Sequence, residues 1–252
     1  MPPERLIERN VMKPHAAMLA LAGMLGLHAA HAGPADYVYT PTVEAGETEL
    51  DFKFGTEDGS PRKSVGTFGL GYGVNDWWFT EAYVKYAKEG SGIKYDAFEW
   101  ENKFQLTETG KYPLDIGFIT EIEIPRNNDE GIEFKFGPLL QSEFGKLQLN
   151  GNLLFERRFD AAEAAPTEIG YQWQAKYRWL PSLEYGMQGF GEMGEWNHWE
   201  PSAEQEHKLG PAVFGKLAMG HHTAIKYNAA WLFGLTDHTP DNTFRLQTEF
   251  EF

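Results

Sequence analysis

The side chains in this sequence that could bind or sort charged solutes are carboxylates, lysines and arginines, and they recur at every second position. Asp115, Glu121 and Glu123 alternate with apolar residues, and Lys176 and Arg178 alternate with aromatic ones. A period of two puts such residues on one face of a β-strand. A charged wall of this kind sorts solutes by charge and size. Its members are Glu99, Glu101, Asp115, Glu121, Glu123, Glu133, Lys176, Arg178, Lys216, Lys226 and Arg245.

The two signs of charge are segregated along the chain. Acidic residues gather at 93–106, 113–124 and 132–144, and basic residues gather at 168–179, 206–217 and 222–235. Opposed charges on facing walls would produce a transverse field across a water-filled interior. The same charges on neighbouring walls would instead pair and close that interior. The sequence leaves both arrangements open.

The elements that must position this wall are long β-strands. From Glu47 onward the period of two continues without a helical interlude. It predicts twelve strands, at 47–55, 64–74, 77–87, 93–106, 113–124, 132–144, 146–159, 168–179, 183–195, 206–217, 222–235 and 243–252. Most are about twice as long as the five or six residues typical of strands in soluble proteins.

The second face of these strands is apolar, and its size indicates which solvent surrounds the barrel. Leu114, Ile116 and Phe118 share that face in one strand, as Tyr171 and Trp173 do in another. So large an apolar band on a water-soluble barrel would aggregate, and twelve strands enclose an interior too wide to fill with side chains. Longer polar connections also alternate with tight turns, as in outer-membrane barrels. We therefore expect an all-β, membrane-spanning, antiparallel up-and-down β-barrel of about twelve strands.

The amino end reads as an export signal. An apolar run at 16–27, too short to span a bilayer, leads to small residues that end at Ala32. We predict a signal peptide over 1–32, cleaved after Ala32. The residues before Met12 fit no part of such a signal, so translation from Met12 would explain them. Residues 33–46 are then expected to form a periplasmic N-terminal segment that precedes the barrel at 47–252.

The charge balance excludes one class of partner. Loss of residues 1–32 would leave 19 basic and 35 acidic residues, a net charge of −16. Nucleic-acid binding depends on neutralising phosphates, so we expect no nucleic-acid partner.

The export signal, the even number of strands and the aromatic end of the last strand together resemble Gram-negative outer-membrane β-barrel proteins. The residues in register in that strand are Phe244, Leu246, Phe250 and Phe252. The resemblance implies an outer-membrane location in contact with lipid, and recognition of the last strand by the barrel assembly machinery. With the charged wall facing the lumen, we expect a channel or facilitator for small polar solutes. A closed barrel with a structural or surface-contact role is the alternative.

An outer-membrane lipid hydrolase is a further alternative with less support. Hydrolases of similar fold carry a His-x-Ser pair that brings a base to its nucleophile, and this sequence has none. We therefore assign no catalytic residue. The adjacent histidines, His221 and His222, would point to opposite faces of a strand. We assign no metal ligand and expect no cofactor.

Overall fold

The computed structural model describes residues 33–60, 62–89, 92–163, 165–220 and 223–252. The predicted signal peptide, its cleavage after Ala32 and the pair His221 and His222 lie outside the described residues.

Twelve long strands and one strand of two residues make up most of the described chain, and the long strands fall where the sequence predicts them. Their bounds are β1 (Thr48–Glu57), β2 (Lys63–Asn75), β3 (Trp78–Glu89), β4 (Gly92–Gln105), β5 (Asp115–Pro125), β6 (Ile132–Phe144), β7 (Leu147–Phe159), β8 (Glu168–Leu180), β9 (Leu183–Glu195), β10 (His198–Trp199), β11 (Glu206–Ala218), β12 (Ala224–Gly234) and β13 (Asn242–Glu251). The two-residue β10 was not predicted, and it pairs only with the end of β9.

The twelve long strands close into an antiparallel up-and-down barrel. Each pairs with its neighbours along the chain, with β9 joining β8 to β11. The first strand pairs with the last, from Glu49 opposite Glu251 to Glu57 opposite Thr243. Closure leaves no long strand with an unpaired edge, which is what a barrel in lipid requires. The expected fold class is confirmed.

The connections distinguish the two ends of the barrel. We call the end reached by β1, β5, β7, β9 and β12 the long-loop end, because most connections there are longer. The opposite end has two-residue turns after β2, β6 and β8, and we call it the short-turn end. Three connections depart from this pattern. At the short-turn end residues 106–114 form a long turn, and five residues separate β11 from β12; at the long-loop end only two residues separate β3 from β4.

Side-chain exposure follows the predicted alternation. Outward residues such as Phe68 and Trp231 are more than half exposed, whereas inward residues such as Glu121 and Gln188 are buried. An apolar exterior around a polar interior is typical of barrels that stand in a bilayer. Within the described ranges no helix has the length and apolarity to cross a membrane.

The last strand presents the predicted aromatic row to the outside of the barrel. Phe244, Phe250 and Phe252 are exposed, and the Phe250 and Phe252 rings lie 5.6 Å apart. The backbone of Phe252 is also held, since it donates to the Thr48 carbonyl at 2.9 Å and accepts from the Thr48 amide at 3.1 Å. The chain end is therefore an ordered part of the barrel wall.

Candidate functional site in the barrel lumen

Residues 33–46, which we call the lumen segment, lie inside the barrel. Pro34 packs against Gly55 near the long-loop end of β1. At the other end of the segment, the Gly46 amide donates to the Gly73 carbonyl at 2.7 Å, near the short-turn end of β2. The segment therefore runs through the lumen from one end to the other. From the sequence, residues 33–46 were expected on the periplasmic side of the barrel, whereas the structure places them within it.

Two successive side chains of the lumen segment reach opposite walls. Val38 belongs to a buried cluster with Phe190, Ala212, Phe214, Ala230 and Leu232. Tyr39 belongs to a second cluster with Ile119, Leu139 and Leu154. Neighbouring side chains of an extended chain point in opposite directions, so an extended segment can fill the gap between β5–β7 and β9–β12. These contacts close the middle of the lumen.

Hydrogen bonds to the walls hold the same segment. The Tyr37 hydroxyl donates to Glu101 at 3.0 Å, and the Tyr39 hydroxyl donates to Glu121 at 2.9 Å. Asn152 Nδ2 donates to the Tyr39 carbonyl at 3.1 Å. Hydrogen bonds to charged groups contribute about 1.5–3 kcal/mol each. The lumen segment is thus bound to its walls specifically, as well as by apolar packing.

An ion-pair network occupies the long-loop half of the lumen. Lys85 Nζ contacts Glu123 and lies 3.3 Å from Glu99. Lys135 Nζ lies 3.2 Å from Glu121 and within 4.0 Å of further carboxylates. The carboxylates that the two lysines contact are Glu99, Glu121, Glu123, Glu133 and Glu156. Together with the lumen segment, this network obstructs the long-loop half of the path.

The short-turn half holds a cavity of about 850 Å³, which we call the vestibule. Thr109, Lys146 and Pro181, which lie in three turns, form part of its rim. Tyr37 and Tyr39 of the lumen segment border it from inside. The vestibule thus reaches from the barrel rim to the middle of the lumen. Its volume is in the range of sites for small molecules.

The vestibule has walls of different chemistry. One wall carries basic residues from β8 and β12, and carboxylates neutralise them. Lys176 lies 3.1 Å from Glu184, and Lys226 contacts Glu251. A row of side-chain amides lies beside the basic wall, and hydrogen bonds of 2.8 to 3.0 Å join its members. They are Gln141, Gln148, Asn150, Gln174 and Gln188. The opposite wall is acidic and is formed by β1, β3 and β4.

The predicted charged residues all occupy inward positions, but they divide between four places. Those that line the vestibule are Glu101, Lys176, Arg178, Lys216 and Lys226. Those in the ion-pair network are Glu99, Glu121, Glu123 and Glu133. Asp115 accepts from the Gly110 amide at 2.8 Å and so holds the turn 106–114. Arg245 is buried, with its guanidinium 4.9 Å from the centre of the Phe190 ring.

The charge of the vestibule mouth depends on pH. Burial raises the pKa of the Glu47 carboxyl to about 7, and its hydrogen bond with Glu251 adds to this effect, while Lys226 opposes it. Glu47 borders the vestibule where β1 begins. Its negative charge is therefore absent well below neutral pH and present well above it.

The position of the lumen segment was not predicted, although the sequence carries a signal for it. Inward positions of the strands hold large apolar residues among the charged ones: Ile119, Leu139, Leu154, Phe190, Phe214 and Leu232. Apolar side chains in a water-filled lumen would be unfavourable. Their presence on the charged face indicates that something apolar covers them.

Gly55 offers a way to displace the lumen segment. A Cβ at this position would overlap the Pro34 carbonyl. Because the chain has no cysteine, Thr40→Cys places a single thiol in the segment. We expect maleimide to label this thiol faster when Gly55→Ala is added. Gly66→Ala, on the outward face of β2 with its nearest neighbour 3.8 Å away, is the matched control. Equal labelling rates in the two variants would show that Gly55 does not govern the position of the segment.

Comparison with known proteins places the fold. No protein-family model and no curated protein matches this chain. Among solved structures, the COG4313 outer membrane channel from Pseudomonas putida F1 superposes with a TM-score of 0.56 at 12% identity, over 86% of this chain and 98% of that one. The NanC porin gives 0.55 at 10%, over 81% and 100%. The KdgM porin in complex with disordered oligogalacturonate gives 0.52 at 8%, over 81% and 98%.

These likenesses bear on the fold alone, because the identities are low. The chain has the porin-like barrel fold of these outer-membrane channels.

Proposed function

We propose that this chain is a narrow outer-membrane channel or facilitator for small polar solutes. The observation that carries the proposal is the vestibule of about 850 Å³, a charged and polar cavity inside a membrane-type barrel. A barrel that served only as a rigid scaffold would have no need of a cavity that opens at its rim. The fold shared with porins and channels supports the same role.

The short-turn end is proposed to face the periplasm, as short turns do in bacterial outer-membrane barrels. Solutes would then enter or leave the periplasm through the vestibule. The lumen segment separates the vestibule from the long-loop end, so passage requires this segment to move. Export through a signal peptide cleaved after Ala32, contact with outer-membrane lipid and insertion by the barrel assembly machinery complete the proposal. The exposed Phe250 and Phe252 at the chain end support the last step.

A closed structural barrel is the second candidate, and one observation favours it. The lumen segment and the ion pairs around Lys85 and Lys135 obstruct the long-loop half of the lumen. A barrel that never opens would show the same contacts. An outer-membrane lipid hydrolase ranks below both, since the sequence has no His-x-Ser pair.

Planar-bilayer recording separates the channel from the closed barrel. The purified protein should produce discrete current steps. In a salt gradient, Arg178→Gln should shift the reversal potential toward the equilibrium potential of the cation. The reason is that it removes a positive charge from the vestibule wall. Tyr95→Phe, which keeps the charge of the chain and alters an exposed residue of β4, is the control and should leave the potential unchanged. Protein that is folded in the bilayer but silent at every voltage and pH would favour the closed barrel.

A further inference from the structure

The acidic wall of the vestibule has more carboxylates than its lysines pair with: among the described residues, Asp51 pairs with Lys53, whereas Glu49, Glu81 and Glu101 form no ion pair. Glu49, Asp51, Glu81 and Glu101 line the cavity, and each is less than a tenth exposed. Glu81 is only 3% exposed, and its Oε1 has no hydrogen-bond partner among the described residues. Asp51 Oδ1 is likewise without one. A buried oxygen left without a partner is costly, so these two atoms indicate an absent donor.

The strand register brings these carboxylates onto one line. Glu49 lies opposite Gly71, Gly71 lies opposite Glu81, and Glu81 lies opposite Glu101. Like charges in directly opposed positions destabilise a sheet. A positively charged group placed over this row would turn that repulsion into attraction.

Two glycines let aromatic rings pack against β2 beside this row. A Cβ at Gly71 would meet the Phe79 ring at 2.4 Å and Glu49 Cγ at 3.0 Å, and a Cβ at Gly69 would meet the Tyr83 ring at 2.4 Å and Glu81 Oε1 at 2.6 Å. Both glycines face the lumen from β2, between the strands that carry the two glutamates. The Phe79 and Tyr83 rings therefore lie beside Glu49 and Glu81, and all four side chains border the vestibule.

An ammonium group of the chain already shows which ligand this chemistry accepts. Lys53 Nζ lies 3.7 Å from the centre of the Tyr37 ring and 3.6 Å from that of Tyr83, and 3.5 Å from Asp51. Aromatic faces with a nearby carboxylate form a cation-binding cage. Glu49 and Glu81 border the same cavity as Tyr37 and Tyr83 of this cage, and Phe79 adds a further ring.

We propose that the vestibule binds small organic cations that carry a primary ammonium, with Glu49 and Glu81 as the carboxylates that receive it. This assignment rests on the proposed channel function and names its class of solute. An inorganic divalent cation fits less well, because calcium takes six to eight oxygen ligands. Among the described residues, two groups of carboxylates lie close enough to share such an ion: Glu49 belongs to one of them, with Glu47 and Glu251, and Glu81 belongs to neither.

Isothermal titration of the folded protein in detergent with 1,4-diaminobutane tests the proposal. We expect saturable binding. Glu81→Gln and Glu49→Gln should each weaken it by about tenfold or more, because each variant loses one ion pair with the diamine. Glu108→Gln removes the same charge from an exposed turn at the same end of the barrel and should leave binding unchanged. Heat-dependent mobility on gels shows whether each variant is folded. If Glu81→Gln does not fold, the comparison of Glu49→Gln with Glu108→Gln decides.

Several outcomes would overturn the assignment. These are no binding of 1,4-diaminobutane, equal binding of the neutral 1,4-butanediol, and equal weakening by Glu108→Gln. Displacement of the diamine by calcium chloride, with calcium binding also lost in Glu81→Gln, would make the site one for inorganic cations. Current steps without diamine binding would refute only this inference. Binding by a protein that stays silent in bilayers would instead refute the channel.

Discussion

Deletion of residues 34–44 is expected to raise the single-channel conductance severalfold. These residues fill the middle of the lumen, where Val38 and Tyr39 pack against opposite walls. Their removal joins the vestibule to the long-loop end through a space as wide as a polypeptide chain. Ionic conductance grows with the width of the narrowest part of a pore, so the effect should exceed that of any single charge change. Recording in planar bilayers measures it.

The double variant Tyr37→Phe, Tyr39→Phe is the matched control for this deletion. It keeps the volume of the segment but removes the hydrogen bonds to Glu101 and Glu121. We expect it to open more often, with an open-state conductance close to that of the unaltered protein. The deletion exposes apolar lumen residues such as Leu139 to water, so its folding is checked by heat-dependent gel mobility. A folded deletion variant with unaltered conductance would show that the segment does not limit the ion path in the open state.

Lys135→Met is expected to destabilise the barrel by about 3–5 kcal/mol, the cost of breaking a buried ion pair from one side. Lys135 Nζ lies 3.2 Å from Glu121 and 3.1 Å from Glu156, and its side chain is 11% exposed. Without it, these carboxylates face each other in the lumen with no lysine between them. Urea unfolding in lipid vesicles, followed by tryptophan fluorescence, measures the loss.

Two comparisons make the Lys135 result specific. Lys111→Met breaks an exposed pair with Glu108 in the turn 106–114 and should cost at most about 1 kcal/mol. Adding Glu121→Gln to Lys135→Met should recover part of the lost stability, because it removes one of the repelling charges. A loss of stability for Lys135→Met no greater than that for Lys111→Met would contradict the buried network.

The barrel was predictable because its two faces meet different solvents. Phe118 faces out and Glu121 faces in, and a shift of one residue would reverse both, so the pattern determines register as well as strand type. Few folds other than a membrane barrel are compatible with many long strands that repeat this alternation of apolar and charged residues. The inward placement of residues such as Glu101 and Lys176 follows from the same alternation.

The contents of the lumen were not predictable in the same way. The lumen segment has no regular period, and its partners lie far along the chain: Tyr39 bonds to Glu121 and to Asn152. Such contacts depend on how far the barrel curves and tilts, which hydrophobic alternation does not specify. The pairing of particular charges, such as Lys135 with Glu121, was not predictable either, because a register shift of two residues changes the pairs and leaves every side chain on its own face.

The position of the lumen segment constrains the order in which the barrel folds. The segment leads directly into β1, and β1 pairs with β13, the last strand of the chain. The seam between these two strands cannot form until β13 has been synthesised. The segment is covalently joined to β1 at this seam. We therefore expect it to be enclosed while the barrel closes, and not to be inserted after closure.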